Sequence, residues 1–174
     1  MADLDTQQAT SAEWAELRAA AELVQAVEAV EAKSVKEALN LGRGYDVLII
    51  DGRPHANSES IEAAERSNLA IIPTSNSFDD LKPSVNLAHA LVDARIPLAR
   101  IAFALSQVST EAEAKNAREW LETTDYATLP SHLLYRPSWR RCGEEGTALT
   151  ETRFQSVNDS ARPLFDHITQ QINN

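Results

Sequence analysis

The chain has 174 residues, 43% of them hydrophobic and 24% charged, which is enough for one globular domain with a core. No apolar run can span a bilayer, and the first residues are unlike a signal peptide. The single cysteine, Cys142, excludes an internal disulfide framework. We therefore expect a cytoplasmic protein with no membrane partner. A net charge of −10 opposes broad adhesion to nucleic acid, although Arg136, Arg140 and Arg141 form one local basic cluster.

Apolar spacing divides the chain into alternating helices and strands. In the first half of the chain the pattern predicts a helix from Ser11, a helix over 34–41, a strand over 45–50, a helix over 57–66 and a strand over 68–72. In the second half it predicts a helix over 80–93, a strand over 100–105, a helix over 110–122 and a strand over 132–135. A short helix within 138–148 and a helix over 156–172 complete the predicted elements. Residues 23–30 fit a strand by alternation and a helix by composition, and both readings stay open.

The alternation of short strands with longer helices indicates the fold class. Strands of four to six residues between helices of about ten or more are typical of a parallel sheet covered on both faces. We therefore predict an α/β protein with a doubly wound, mostly parallel sheet, formed by residues 1–174 as one domain.

An acidic residue ends the strand over 45–50. Asp51 follows a run of apolar and β-branched residues, and Gly52 and Pro54 then favour a turn. Ligands of open α/β sheets bind beyond the carboxyl ends of the strands, so Asp51 is placed for magnesium, a phosphate site or a phosphoryl acceptor. The same residue also suits a simple turn cap, because aspartate favours such turns.

A second pair of acids stands near the N-terminus. Asp3 and Asp5 are separated by one residue and precede a turn and a helix that carries Trp14. This pattern fits the end of a strand, and it also fits a polar, solvated terminus.

The order of these motifs resembles the ParA/MinD family of partition ATPases, which have a deviant Walker, P-loop NTPase-like fold. Asp3, Asp5 and Gln7 match the Asp-x-Asp-Pro-Gln segment of that family, with Thr6 in place of the proline and Gln8 in place of a common glycine. Trp14 matches a tryptophan that often follows this segment. The strand that ends at Asp51 matches the Walker B strand, and the matches continue in order as Leu69–Thr74, Asp79–Leu81, Ile101–Val108 and the C-terminal helix.

One departure from the family concerns its glycine-rich phosphate loop. No Gly-x-x-x-x-Gly-Lys-Ser/Thr arrangement occurs in the sequence. In the family, that loop supplies backbone N–H groups, a lysine and a hydroxyl to the phosphates and Mg²⁺. We therefore expect this chain to lack the first strand, the loop and its helix, and not to hydrolyse ATP alone.

The resemblance implies roles for particular residues. Asp51 would hold Mg²⁺ through a water, Asp5 would orient the attacking water, and Asp3 would support the metal or the loop. Gln107 stands where the family contacts adenine. Arg136, Arg140 and Arg141 stand where DNA-binding members place basic residues; alternatively they pair with Glu144, Glu145 and Glu151.

The same resemblance implies partners and a biological role. The activity expected of the complete form is plasmid or chromosome segregation through ATP-dependent dimerisation and DNA association, with a ParB-like centromere-binding partner. Apolar surface uncovered by the missing strand would also favour dimers or aggregates.

Two other classes compete with a partition ATPase. A non-catalytic interaction module of the same fold would explain the missing phosphate loop. A phosphoacceptor receiver would use Asp51, but Lys82 and Pro83 follow Thr74 too closely for that class.

Overall fold

The computed structural model describes residues 1–53 and 57–173, so the predicted turn residue Pro54 lies outside the described part. The strands are β1 (Ala2–Asp3), β2 (Val30–Glu31), β3 (Ile50–Asp51), β4 (Ala70–Thr74), β5 (Ile101–Leu105) and β6 (Ala127–Thr128). The helices are α1 (Thr10–Ala20), α2 (Val35–Leu41), α3 (Ser58–Arg66), α4 (Phe78–Asp93), α5 (Glu111–Leu121), α6 (Pro137–Glu145) and α7 (Gln155–Ile172), and Leu98–Arg100 form a 3₁₀ turn.

The strands form two parallel sheets. The first has the order β2-β1-β3 and the second has the order β4-β5-β6. Helices separate successive strands, so the predicted α/β class with a doubly wound, parallel arrangement is confirmed. No helix among the described residues is both long and apolar enough to cross a membrane.

Strand β5 shows why helices lie on both faces. Its residues alternate between two hydrophobic clusters, because successive side chains of a strand point to opposite faces. Ile101, Phe103 and Leu105 pack with apolar residues of α4 and α5, whereas Ala102 and Ala104 pack with α7. Burial of one such large side chain stabilises the fold by about 1.5–3 kcal/mol.

The first sheet is covered in the same way. Ala2 and Leu4 pack against Val35 and Ala38 of α2 on one face. Asp3 points to the opposite face, where it meets the start of α1. Residues 2–4 are 0–1% exposed, so the N-terminal segment is a core strand and the alternative of a solvated terminus is wrong.

Three strand predictions differ from the structure. The strand over 45–50 shortens to Ile50–Asp51, since Val47 and Ile49 are each 58% exposed and lack packing partners. Residues 132–135 form one isolated bridge, Val108 to Leu134, and the strand lies earlier at Ala127–Thr128, before Pro130. The undecided segment 23–30 forms neither a helix nor a full strand: bends and irregular backbone lead to Val30, the first residue of β2.

Candidate functional site

The carboxyl ends of β1 and β3 meet at one edge of the first sheet. Asp3 and Asp51 are register partners in the two neighbouring parallel strands. The segment from Asp3 to Asp5, together with Asp51 and Ser11, is called the acid edge below. It lies where open α/β sheets bind ligands, which is the position that the sequence predicted for Asp51.

Asp3 holds the connection between β1 and α1. Its side chain is 1% exposed and accepts hydrogen bonds from the backbone N–H groups of Asp5 at 2.9 Å and Ser11 at 3.0 Å. Helix α1 has no side-chain cap of its own, since Ala9 precedes it in a left-handed conformation with φ 48°. Asp3 therefore supplies the acceptor that a capping residue normally provides.

Ser11 links the two strand-end acids. Its N–H bonds Asp3, and its hydroxyl donates to Asp51 Oδ2 at 2.5 Å. The sequence predicted Ser11 as a helix cap, but the helix begins one residue earlier and Ser11 lies in its first turn. No local pattern indicates this role, because the two acids that Ser11 contacts are 8 and 40 residues away in sequence.

Asp5 differs from Asp3 in its surroundings. Its carbonyl oxygen accepts the N–H groups of Gln8 at 3.0 Å and Ala9 at 2.7 Å, which closes the turn before α1. Its side chain is half-buried, and no described residue donates a hydrogen bond to its carboxylate. The carboxylate of Asp5 is therefore available to a ligand or to water, whereas that of Asp3 is occupied by backbone.

Arg53 brings a positive charge to the acid edge. Its Nε donates to the carbonyl oxygen of Leu4 at 3.1 Å and lies 3.9 Å from a carboxylate oxygen of Glu59. The guanidinium is 43% exposed, so a surface anion can reach it. Arg53 stands two residues after Asp51 in the sequence, and no sequence pattern gave it a role.

At the acid edge, one carboxylate, that of Asp51, fits Mg²⁺. Among the described residues, no group of three or more His, Cys, Asp or Glu side chains is arranged to hold a metal ion. Mg²⁺ keeps several waters and commonly uses one or two protein carboxylates, so Asp51 fits as a single ligand through water. The phosphates of ATP find no glycine-rich cradle in the sequence.

A large cleft separates the two sheets. Its volume is ≈ 1000 Å³, and its lining includes Asp51, Arg53, Thr74 and Gln107. Gln107 follows β5, is exposed and has φ 56°. The structure thus brings Asp51 and Gln107 to one cleft, whereas Asp3 and Asp5 do not line it.

The three clustered arginines lie on and beside α6. Arg136 is half-buried and precedes the helix, and Arg140 and Arg141 are exposed on it. Within residues 1–53 and 57–173, none of the three forms an ion pair. The alternative pairing with acids is wrong for Glu151, because that residue pairs with Arg18.

The Arg18–Glu151 pair joins α1 to the segment after α6. Arg18 is 3% exposed and binds both carboxylate oxygens of Glu151, at 2.7 and 2.9 Å. It also donates to the carbonyl oxygens of Val24, Gln25 and Gly146. The hydrogen bond from Arg18 lowers the pKa of the Glu151 carboxyl below its usual value, against the opposing effect of burial. No local sequence pattern indicates this pair, because Arg18 and Glu151 are 133 residues apart.

No family model matches the chain, and no curated protein matches it. Function therefore has to be inferred from the residues and their geometry.

Proposed function

We propose that the chain is a ParA-like partition protein that acts in plasmid or chromosome segregation in the cytoplasm. The observation that carries the proposal is the in-register pair Asp3 and Asp51, joined by the backbone and hydroxyl of Ser11. The order of the Asp-x-Asp segment, the helix with Trp14 and the strand ending at Asp51 supports the same assignment. Pairing of two copies and a ParB-like partner belong to this proposal.

Each acid has a separate role in this proposal. Asp51 holds Mg²⁺ through a water, and Asp5, whose carboxylate has no described donor, orients a water molecule. Asp3 positions Asp5 directly and Asp51 through Ser11, because its carboxylate fixes the turn between β1 and α1. Gln107 can bond a base from the rim of the cleft. Because the residues do not fit the phosphates of ATP, we assign this chain no hydrolytic step.

The metal role of Asp51 is tested with Mn²⁺, which substitutes for Mg²⁺ and broadens nearby NMR signals. We expect broadening centred on the amides of Ser11 and Asp51. Asp51→Asn removes the charge and should abolish it, whereas Asp46→Asn, at an exposed acid before β3, should leave it unchanged. Broadening that survives Asp51→Asn would remove the metal site from the proposal.

DNA association is assigned to Arg136, Arg140 and Arg141. Arg140 and Arg141 are exposed, Arg136 is half-buried, and none of them forms an ion pair among the described residues, so all three can contact phosphates. Each phosphate contact contributes about 0.9 to the slope of log affinity against log salt. Changing all three to glutamine should therefore weaken binding to a random duplex and reduce that slope by up to about 2.7.

A matched control changes three other exposed arginines, Arg43, Arg66 and Arg95, to glutamine. This variant carries the same net charge, so a general electrostatic effect would weaken binding equally in both proteins. Equal losses would refute a specific DNA face on α6.

A non-catalytic interaction module of the same fold is the second candidate. The observation that favours it is the burial of Asp3 with its carboxylate occupied by backbone N–H groups, together with the absent phosphate loop. This candidate predicts neither Mn²⁺ broadening at Asp51 nor an effect of the α6 arginines on DNA.

A further inference from the structure

The cleft between the two sheets has the lining of a vacant strand position. It is bordered by the end of β3 and by all five residues of β4. Strand β5 has neighbours on both sides, and all its residues are buried. By contrast, only Ile72 and Thr74 of β4 are buried, and both residues of β3 are partly exposed.

Backbone hydrogen-bonding groups on both borders point into this cleft. The carbonyl oxygens of Ile49 and Asp51 accept the N–H groups of Ala2 and Leu4. Successive residues of a strand direct their backbone groups to opposite sides, so the N–H and C=O of Ile50 face the cleft. The carbonyl oxygen of Thr74 accepts from Ser106 beside β5, so Ile71 and Pro73 face the cleft. A proline lacks an N–H and suits an edge strand, which explains its place inside β4.

Helix α3 connects the two borders. It follows β3 and precedes β4, and its residues pack on both sheets: Ala63 joins the cluster of the first sheet and Ala64 joins a cluster of the second. Strand–helix–strand connections of this kind join parallel strands of one sheet with right-handed crossover. One added strand between β3 and β4 would therefore lie parallel to both.

We propose that the cleft binds an extended apolar segment of a partner polypeptide as an added parallel strand, which joins the two sheets into one. The bound segment spans about five residues, matching β4 at about 3.3 Å per residue. Leu69, Ile71, Leu87 and Leu91 give the cleft apolar walls, so both faces of the segment are apolar.

Charge fixes the direction and the end of the segment. Three acids, Asp51, Asp79 and Asp80, line the carboxyl end of the cleft against one basic residue, Arg53. The apolar lining residues lie behind them. A basic residue directly after the apolar run therefore complements the cleft. Strand addition needs only the backbone edges of β3 and β4 and the lining of the cleft, and no metal or nucleotide at the acid edge.

A second copy of this chain does not provide such a segment among its described residues. Its outer edge strands, β2 and β6, have only two residues each. The five-residue strands β4 and β5 are already paired with each other. A partner polypeptide with a free apolar segment is therefore the occupant that the structure favours.

The probe is the capped peptide acetyl-Lys-Val-Ile-Ala-Val-Ile-Arg-amide, added to the full chain. We expect saturable binding and at least about tenfold slower hydrogen exchange at the Ile50 and Ile71 amides, because both gain acceptors in the added strand. A control peptide with the same side chains and N-methyl groups on alternate residues should bind at least about tenfold more weakly.

Two proline variants test the edge itself. Ile50→Pro removes the N–H that faces the cleft and should weaken peptide binding. Glu31→Pro removes an amide that, by the same alternation, faces away from β1 on the opposite edge, and should leave binding unchanged. If Ile50→Pro fails to fold, hydrogen exchange at the Ile50 and Ile71 amides of the unsubstituted protein still tests strand addition.

Three results would overturn the proposal. The first is unchanged exchange at Ile50 and Ile71 with saturating peptide. The second is equal binding of the N-methylated peptide, which would indicate apolar adsorption instead of strand addition. The third is concentration-dependent protection of both amides in the free protein, which would make a second copy the occupant.

Discussion

Asp3 and Asp5 belong to one short motif, yet the fold uses them differently. Asp3 is buried and bonds the N–H groups of Asp5 and Ser11, whereas the carboxylate of Asp5 has no described donor. Removing a buried acceptor leaves its donors without partners, and each such group costs about 1–3 kcal/mol. The two residues should therefore respond differently to the same substitution.

We predict that Asp3→Ala lowers the free energy of unfolding by about 2–4 kcal/mol, because two partly buried N–H groups lose their acceptor. Asp5→Ala should stay within about 0.5 kcal/mol of the unsubstituted chain, as surface substitutions usually do. Urea unfolding of both variants measures the difference. Equal destabilisation would contradict a positioning role for Asp3.

Helix α1 is held at its other end by the segment after α6, and the contact depends on one glycine. Gly146 ends α6 with φ 67°, and a Cβ atom built there would lie 2.3 Å from the backbone nitrogen of Arg18. The carbonyl oxygen of Gly146 also accepts from the Arg18 guanidinium at 3.1 Å. A side chain at this position would force α1 and α6 apart.

We predict that Gly146→Ala destabilises the protein by about 2–4 kcal/mol, since a left-handed backbone conformation and a clash with backbone add together. Gly143→Ala is the control, because a Cβ at Gly143 meets nothing within 4 Å in the same helix. That change should stabilise by up to about 1 kcal/mol. Thermal unfolding distinguishes the two; similar shifts would refute the close approach of α1 and α6.

At the scale of elements, the sequence predicted helices better than strands. The helices predicted over 57–66, 80–93, 110–122 and 156–172 lie within two residues of α3, α4, α5 and α7, because their apolar period extends over several turns. Strands β1, β2 and β6 have two residues each, too few to show alternation. Their positions are fixed by pairing with distant segments, which local pattern does not encode.

At the scale of the whole molecule, the sequence predicted one sheet and the structure has two. The break lies between β3 and β4, and nothing in either segment indicates it, because strand order is a non-local property. The meeting of Asp3 with Asp51 was predictable from two parallel strands that end in acids. The hydrogen bond of Ser11 and the approach of Arg53 were not, since both depend on how the turns close.

We propose that this chain carries the acidic side of a nucleotide site and lacks the phosphate loop. Magnesium-dependent ATP hydrolysis by the purified chain tests it most directly, with Asp51→Ala measured in parallel. We predict no turnover above background in either protein, because no backbone loop fixes the phosphates. Magnesium-dependent turnover by the unsubstituted chain that disappears in Asp51→Ala would contradict this claim.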